Sequence, residues 1–155
     1  MNVKSKLDRI LSSALILILT LMVLNVLWQV FSRYILQTPS SFTDELSRYL
    51  MIWIGILGAA YVSGMNAHVR IDVFVSRLSI GMQKKIQLMV LVVIAFFALL
   101  VLVIGGSRLV YISFILGQKS PALQIPLAYV YLVLPLSGCI IIIYKVLDYL
   151  NRKSK

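Results

Sequence analysis

Leu88-Met-Val-Leu-Val-Val-Ile-Ala-Phe-Phe-Ala-Leu-Leu-Val-Leu-Val-Ile104 is apolar at every position, and its reading decides the fold. A strand of a membrane β-barrel would alternate polar and apolar residues over about ten positions. No such alternation occurs here. The run extends without a charge from Ile86 to Ser107, between Lys85 and Arg108, and holds 22 residues. At about 1.5 Å per residue, a helix of that length crosses a hydrocarbon core of roughly 30 Å. Lipid offers no hydrogen bonds to the backbone, so a segment that satisfies its own amides, a helix, is expected.

The same test succeeds three more times along the chain. Ile10 to Ser32, Tyr49 to Val69 and Ser120 to Tyr144 are runs of 23, 21 and 25 residues bounded by Arg or Lys. None carries Lys, Arg, Asp or Glu, and His68 and Cys139 are their only other reactive groups of note, so each escapes the several kcal/mol that a central charge costs in a bilayer. Across 155 residues, 61% are hydrophobic and 13% charged, and the mean hydropathy is +0.97, which excludes a water-soluble globular domain. The expected fold is all-α and integral to the membrane, one four-span domain over residues 1–155. Its transmembrane helices are placed at 10–32, 49–69, 86–107 and 123–144, with short amphipathic interfacial helices between them. The first run is longer than the apolar core of a signal peptide and lacks a clear small-residue cleavage site, so it reads as a retained span. A single cysteine excludes an intrachain disulfide.

The net charge of +10 suggests nucleic acid until its placement is considered. Lys4, Lys6, Arg9, Arg70, Arg77, Lys84, Lys85, Lys145, Arg152, Lys153 and Lys155 fall on one side of the four spans, eleven of the fifteen basic residues. Arg33, Arg48, Arg108 and Lys119 fall on the other, where Asp44 and Glu45 offset them. This asymmetry places both termini in the cytoplasm and leaves nucleic acid with no role as partner. Aromatic residues agree: Trp28, Phe31, Tyr34, Phe42, Tyr49, Trp53, Tyr111, Phe114, Tyr129 and Tyr131 gather at the outer ends, and Tyr144 and Tyr149 at the inner end of the fourth span.

The connections carry further signals. Pro39-Ser-Ser-Phe-Thr-Asp-Glu45 combines hydroxyls that can cap a helix with carboxylates that suit the positive end of its dipole. An outer amphipathic segment is expected at 40–48, continuing or bending into the second span. Arg48 lies within one turn of both Asp44 and Glu45, which allows a local ion pair, or else a carboxylate meets a basic group on another chain. On the inner side Ile71, Phe74, Val75 and Leu78 recur with helical spacing, so residues 70–80 should lie along the inner leaflet with Arg77, Lys84 and Lys85 toward anionic phospholipid. Gly55, Ala59, Ser63 and Ala67 form a strip of small residues every four positions, a surface where a second helix can approach closely. The fourth span is entered through Lys119-Ser-Pro-Ala-Leu-Gln-Ile-Pro126, with a helix start expected near Pro126 and a kink at Pro135.

The chemistry that is missing narrows the function. A proton-coupled exporter needs a carboxylate inside the membrane, but Asp8, Asp44, Glu45, Asp72 and Asp148 all lie outside the apolar runs. Bis-histidine haem ligation is impossible with His68 alone, thiol exchange with Cys139 alone, and no Walker loop or zinc motif is present. His68 beside Arg70 fits an interfacial hydrogen-bonding residue better than a metal ligand, because a metal site needs three or four donors. No catalytic, cofactor-binding or metal-binding residue is therefore expected, and the chain reads as a non-enzyme suited to packing beside a larger membrane protein. A stand-alone small homo-oligomeric transporter or channel, its path lined by Ser63, His68 and the Pro135 bend, is the alternative.

Several motifs, in order, resemble one family. They are Gln29-Val-Phe-Ser-Arg33-Tyr34, Thr43-Asp-Glu-Leu-Ser-Arg-Tyr-Leu50 running into Trp53, Gly58-Ala-Ala60, Ala67-His-Val-Arg-Ile-Asp72, and Ser120-Pro-Ala-Leu-Gln-Ile-Pro126 with Tyr129. Together they resemble the small membrane (Q) subunit of tripartite ATP-independent periplasmic (TRAP) transporters, over nearly the whole chain. The resemblance implies a scaffold subunit in a bacterial inner membrane, packed against a large elevator-type membrane subunit that works with a periplasmic substrate-binding protein. It implies sodium-coupled uptake of organic acids such as C4-dicarboxylates, sialic acid or other sugar acids, with sodium on the large subunit and no cofactor in this chain. Arg33, Asp44, Glu45, Arg48, Tyr49, His68, Arg70, Asp72, Pro121 and Pro126 are the expected contacts to subunits or lipid.

Overall fold

A computed structural model describes residues 3–38, 40–65 and 80–153, and these are helical apart from short connections. The helices are α1 (Val3–Tyr34), α2 (Ser41–Gly64), α3 (Ile80–Phe97), α4 (Gly106–Ile115), α5 (Leu127–Tyr131) and α6 (Val133–Lys153), with a π-helical stretch, Ala98–Gly105, joining α3 to α4 without a break. Four helical stretches, Lys4–Tyr34, Ser41–Gly64, Gly81–Ile115 and Leu127–Leu150, are long and apolar enough to cross a membrane, as the uncharged runs require. The expected inner segment at 70–80 lies, except for Ile80, outside the described residues.

Local chemistry explains the helix limits. Ser40 caps α2, its hydroxyl accepting from the Thr43 amide at 3.4 Å, and Asp44 occupies the first turn. The outer amphipathic segment and the second span are thus one continuous helix. Pro126, extended at φ −62° and ψ 124°, is the residue immediately before α5. Pro135 has no N–H to give the carbonyl four residues earlier, that of Tyr131, and the helix is interrupted there, between α5 and α6 at Leu132. Leu132 still donates to Ala128 at 3.2 Å and Leu136 to Leu132 at 3.3 Å, so the interruption is a kink rather than a separation.

Packing makes α2 and α6 the centre of the bundle. Leu11 of α1, Leu57 of α2, and Val133 and Tyr144 of α6 form one buried cluster, flanked by Leu7, Leu15, Ile56 and Ile140. Ala60 of α2, Ala98 of the π-helical stretch and Ile141 of α6 form a second. Glycine sets the closest approaches. A Cβ on Gly138 would stand 2.8 Å from Leu102 Cβ and 3.2 Å from the Ala98 carbonyl, and one on Gly106 would stand 2.8 Å from Leu134 Cβ. The third and fourth spans therefore cross at near-backbone contact, the geometry that small residues permit in membranes. Elsewhere the helices show lipid-like surfaces: Leu17, Leu24, Leu27, Met89, Val93 and Phe96 are all exposed.

Candidate subunit-contact sites

Two polar sites stand at opposite ends of the bundle. At the end formed by the connections, the helix–kink arrangement brings the start of α2 against the turn that precedes α5. Gln124 donates through its amide to the Ser120 carbonyl at 3.1 Å and Ser120 to the Ile125 carbonyl at 2.9 Å, so residues 120–124 close a single helix-like turn. Gln124 adopts φ +56°, the left-handed conformation that ends such a turn. A turn of this kind leaves its leading amides without partners. Glu45 supplies one: the Ala122 and Leu123 amides both donate to its Oε2 at 2.8 Å, and the Tyr49 hydroxyl donates to its Oε1 at 2.8 Å. The side chain is buried, as is Ser120, whose hydroxyl lies beside the Glu45–Tyr49 pair. An ionised carboxylate is an acceptor only, and all three groups facing Glu45 are donors, so the site is matched to that form.

The neighbouring carboxylate behaves differently. Asp44 accepts from Arg48 at 2.9 Å and from Gln29 of α1 at 3.2 Å, and both ions of that pair are well exposed. The expected ion pair is therefore real for Asp44, while Glu45 turns inward and leaves Arg48 to its neighbour. Asn25, in the last third of α1, donates to the Thr43 carbonyl and to the Ser47 hydroxyl, each at 2.7 Å, completing the seam between α1 and α2.

At the end holding the two chain termini, side chains join distant parts of the sequence. The Tyr144 hydroxyl donates to Asp8 at 2.6 Å, Lys4 meets Asp148 at 2.9 Å, and Lys145 donates to the Ser63 carbonyl at 2.9 Å. Lys145 lies 4% exposed against the last turn of α2, where carbonyls lack helical partners and the dipole favours a cation. Tyr144, expected at the headgroup level, is instead fully buried, its ring occupying the space that a Cβ on Gly64 would need. The anchor reading of this tyrosine is corrected by packing: its ring fills the junction of α1, α2 and α6.

Of the residues singled out from sequence, the structure joins Glu45, Tyr49 and the Pro121–Pro126 turn, and joins Asp44 to Arg48. Arg33 is exposed in the last turn of α1. Gly55 and Ala59 point away from the rest of the chain, and a Cβ on Gly55 would meet nothing within 4 Å, so this part of the strip packs no helix among the described residues. Ser63 contributes its carbonyl, and its buried hydroxyl has no partner among the described residues. Ala67, His68, Arg70 and Asp72 lie outside the described residues. Sequence reasoning passed over Asn25, Lys4, Asp8, Lys145 and Asp148. Asn25 and Gln29 stand one turn apart on α1, a spacing that marks one polar face. No comparable local signal links Asp8 to Tyr144.

Residues 22–153 match the family described as tripartite ATP-independent periplasmic transporters, DctQ component. The chain belongs to this family. A TRAP transporter small permease protein of Haemophilus influenzae is 43% identical over 61 residues, 39% of this chain and 38% of that protein. A second protein of the same name and organism is 24% identical over 159 aligned positions, covering 100% of this chain and 94% of its own length. The isethionate TRAP transporter permease protein DctMQ of Oleidesulfovibrio alaskensis is 32% identical over 96 residues, 61% of this chain but 15% of that much longer protein. The chain thus spans well under two thirds of two of these three relatives. It is a multi-pass membrane protein of a transporter family, in keeping with its four apolar helices.

Proposed function

We propose that this chain is the fixed scaffold subunit of a sodium-coupled uptake system for organic acids in a bacterial inner membrane. Its partners are a large elevator-type membrane subunit, which holds substrate and sodium, and a periplasmic substrate-binding protein. The observation that carries this reading is the family match over residues 22–153 on a chain whose apolar runs hold no carboxylate. Driving a solute with an ion gradient needs polar groups at mid-membrane. Among the described residues the buried charges, Glu45, Lys145 and Asp148, sit instead at the two ends of the bundle and are engaged there by hydrogen bonds or an ion pair. The DctMQ name of one relative, several times longer than this chain, supports a partner large enough to hold the missing chemistry. Its isethionate designation supports a small organic anion as the transported class. Both termini face the cytoplasm in this reading, on the charge asymmetry of the connections.

Affinity purification through a tag on this chain tests the proposal. A larger multispan protein should co-purify, and uptake in liposomes should require that protein, the soluble binding protein and a sodium gradient. A lone tetraspan that transports by itself would overturn the scaffold role and establish the homo-oligomeric alternative.

A further inference from the structure

The third span changes character half-way along. From Ala98 to Gly105 its hydrogen bonds reach five residues back rather than four, and the Gly106 amide closes the stretch on the Val101 carbonyl. From this stretch onward the span is held fast. Ala98, Gly106 and Ser113 are buried, Gly138 of α6 lets Leu102 and Val103 come to near-backbone contact, and a Cβ on Gly106 would stand 3.1 Å from the Pro135 ring. Before the stretch the span is held loosely. Leu91 is the only buried side chain of α3 among those described, while Met82, Met89, Val92, Phe96 and Phe97 are all exposed. The π-helical stretch therefore lies at the boundary between a packed half and an open half of one continuous helix.

We propose that this stretch is a rotary hinge, on which α3 turns about its own axis while the rest of the bundle stays in place. A broken helix would strand amides in lipid, whereas a π-helical stretch keeps them paired within the segment. Passing to the α register exchanges the carbonyl five residues back for the one four back, so the turn loses no hydrogen bond. Re-registering by one residue rotates the chain on one side by about 100°, one residue's share of a 3.6-residue turn. The open half is the side that moves. Turning α3 disturbs one buried side chain, Leu91, and the packing of Ile94 on the second cluster, whereas turning α4 would swing side chains into Leu134 and Pro135 where Gly106 now fits. The apolar face that α3 shows to its surroundings then changes without any change in α1, α2 or α6. The hinge stands apart from the scaffold reading, whose fixed part becomes those three helices and the packed half of the third span.

The test uses the full chain in lipid nanodiscs, with any membrane partner that co-purifies, and reads distances between paired spin labels by pulsed electron resonance. Cys139→Ser removes the single native cysteine, so that labels go only where they are placed. One pair, Met89→Cys with Val146→Cys, spans α3 and α6, and the other, Ile112→Cys with Leu136→Cys, spans α4 and α6; all four positions are exposed. The α3 pair should give two resolved distances and the α4 pair one. Deleting Leu100, an exposed residue inside the stretch, should leave the α3 pair with one distance, because the spare residue that sustains the π register is gone. Gly105→Ala adds a Cβ that meets only the Leu100 carbonyl, at an ordinary 3.5 Å, and favours the α register, so it should change the ratio of the two distances at least twofold. A single distance at the α3 pair of the parent would overturn the hinge. Two distances at both pairs would trace the doubling to the labels or to the whole bundle, and two distances unchanged by the deletion and by Gly105→Ala would put the motion elsewhere; either overturns it. Should the deletion variant not fold, Gly105→Ala decides by itself. No partner is needed for any of these readings, so a missing large subunit counts against the scaffold reading alone.

Discussion

At the connection end of the bundle one carboxylate, Glu45, grips the backbone of a turn 77 and 78 residues away, whereas at the terminal end side chains grip side chains across 136 and 144 residues. The first arrangement shapes a loop, while beside it Asn25 and Gln29 join α1 to α2 only. The second holds α1, α2 and α6 together through the buried Tyr144 and the bonds of Asp8, Lys4 and Lys145. Disturbing the terminal end should therefore loosen the whole bundle, while disturbing the connection end should loosen one surface.

The sharpest way to break this contrast is Gly64→Val. Its added atoms would enter the ring of Tyr144, which Asp8 and full burial hold in place. A loss of about 1–3 kcal/mol or more is expected from overpacking, read as a lower thermal unfolding temperature of the purified protein. A Gly64→Val protein as stable as the parent would show that the junction repacks freely. Next in size, Tyr144→Phe keeps the ring and removes the hydroxyl that meets Asp8. A hydrogen bond to a charged group contributes about 1.5–3 kcal/mol, so the same thermal measurement should show a global loss no larger than that of Gly64→Val.

Glu45→Ala should act locally. Ala122 and Leu123 would lose their acceptor, and amide exchange across residues 118–126 should accelerate roughly tenfold, with little change in exchange within α6. Equal acceleration at both ends would erase the distinction drawn here. Smallest of all, Asp44→Ala removes an exposed i, i+4 pair with Arg48. A change within about 0.5 kcal/mol is expected, and a larger one would mean that Asp44 meets a group on another chain.

Much of this was legible in the residues themselves. Uncharged runs of bilayer length give four spans because lipid penalises any backbone or charge left unsatisfied, a condition met locally along each helix. Ser40 and Asp44 announce the start of α2, and Pro126 and Pro135 the start and the kink of the last span, for equally local reasons. Glu45 was readable as a helix-start acid, but not as the anchor of a turn, since the amides it holds belong to a segment beyond the third span. Among the described residues Gly64, Gly106 and Gly138 make the close contacts within the chain, while Gly55 and Ala59 of the small-residue strip stay exposed. A small side chain permits close approach without saying which helix will come near.

Sequence by itself determined that the chain carries four segments long and apolar enough to cross a membrane, because this depends on the transfer of each segment between water and lipid. Its motifs also sufficed to place it in the TRAP small-subunit family. Only the tertiary structure decided which carboxylate is exposed and which is buried, and that Tyr144 fills a junction rather than an interface. Those outcomes depend on pairings between residues far apart in the chain, and no local preference encodes them.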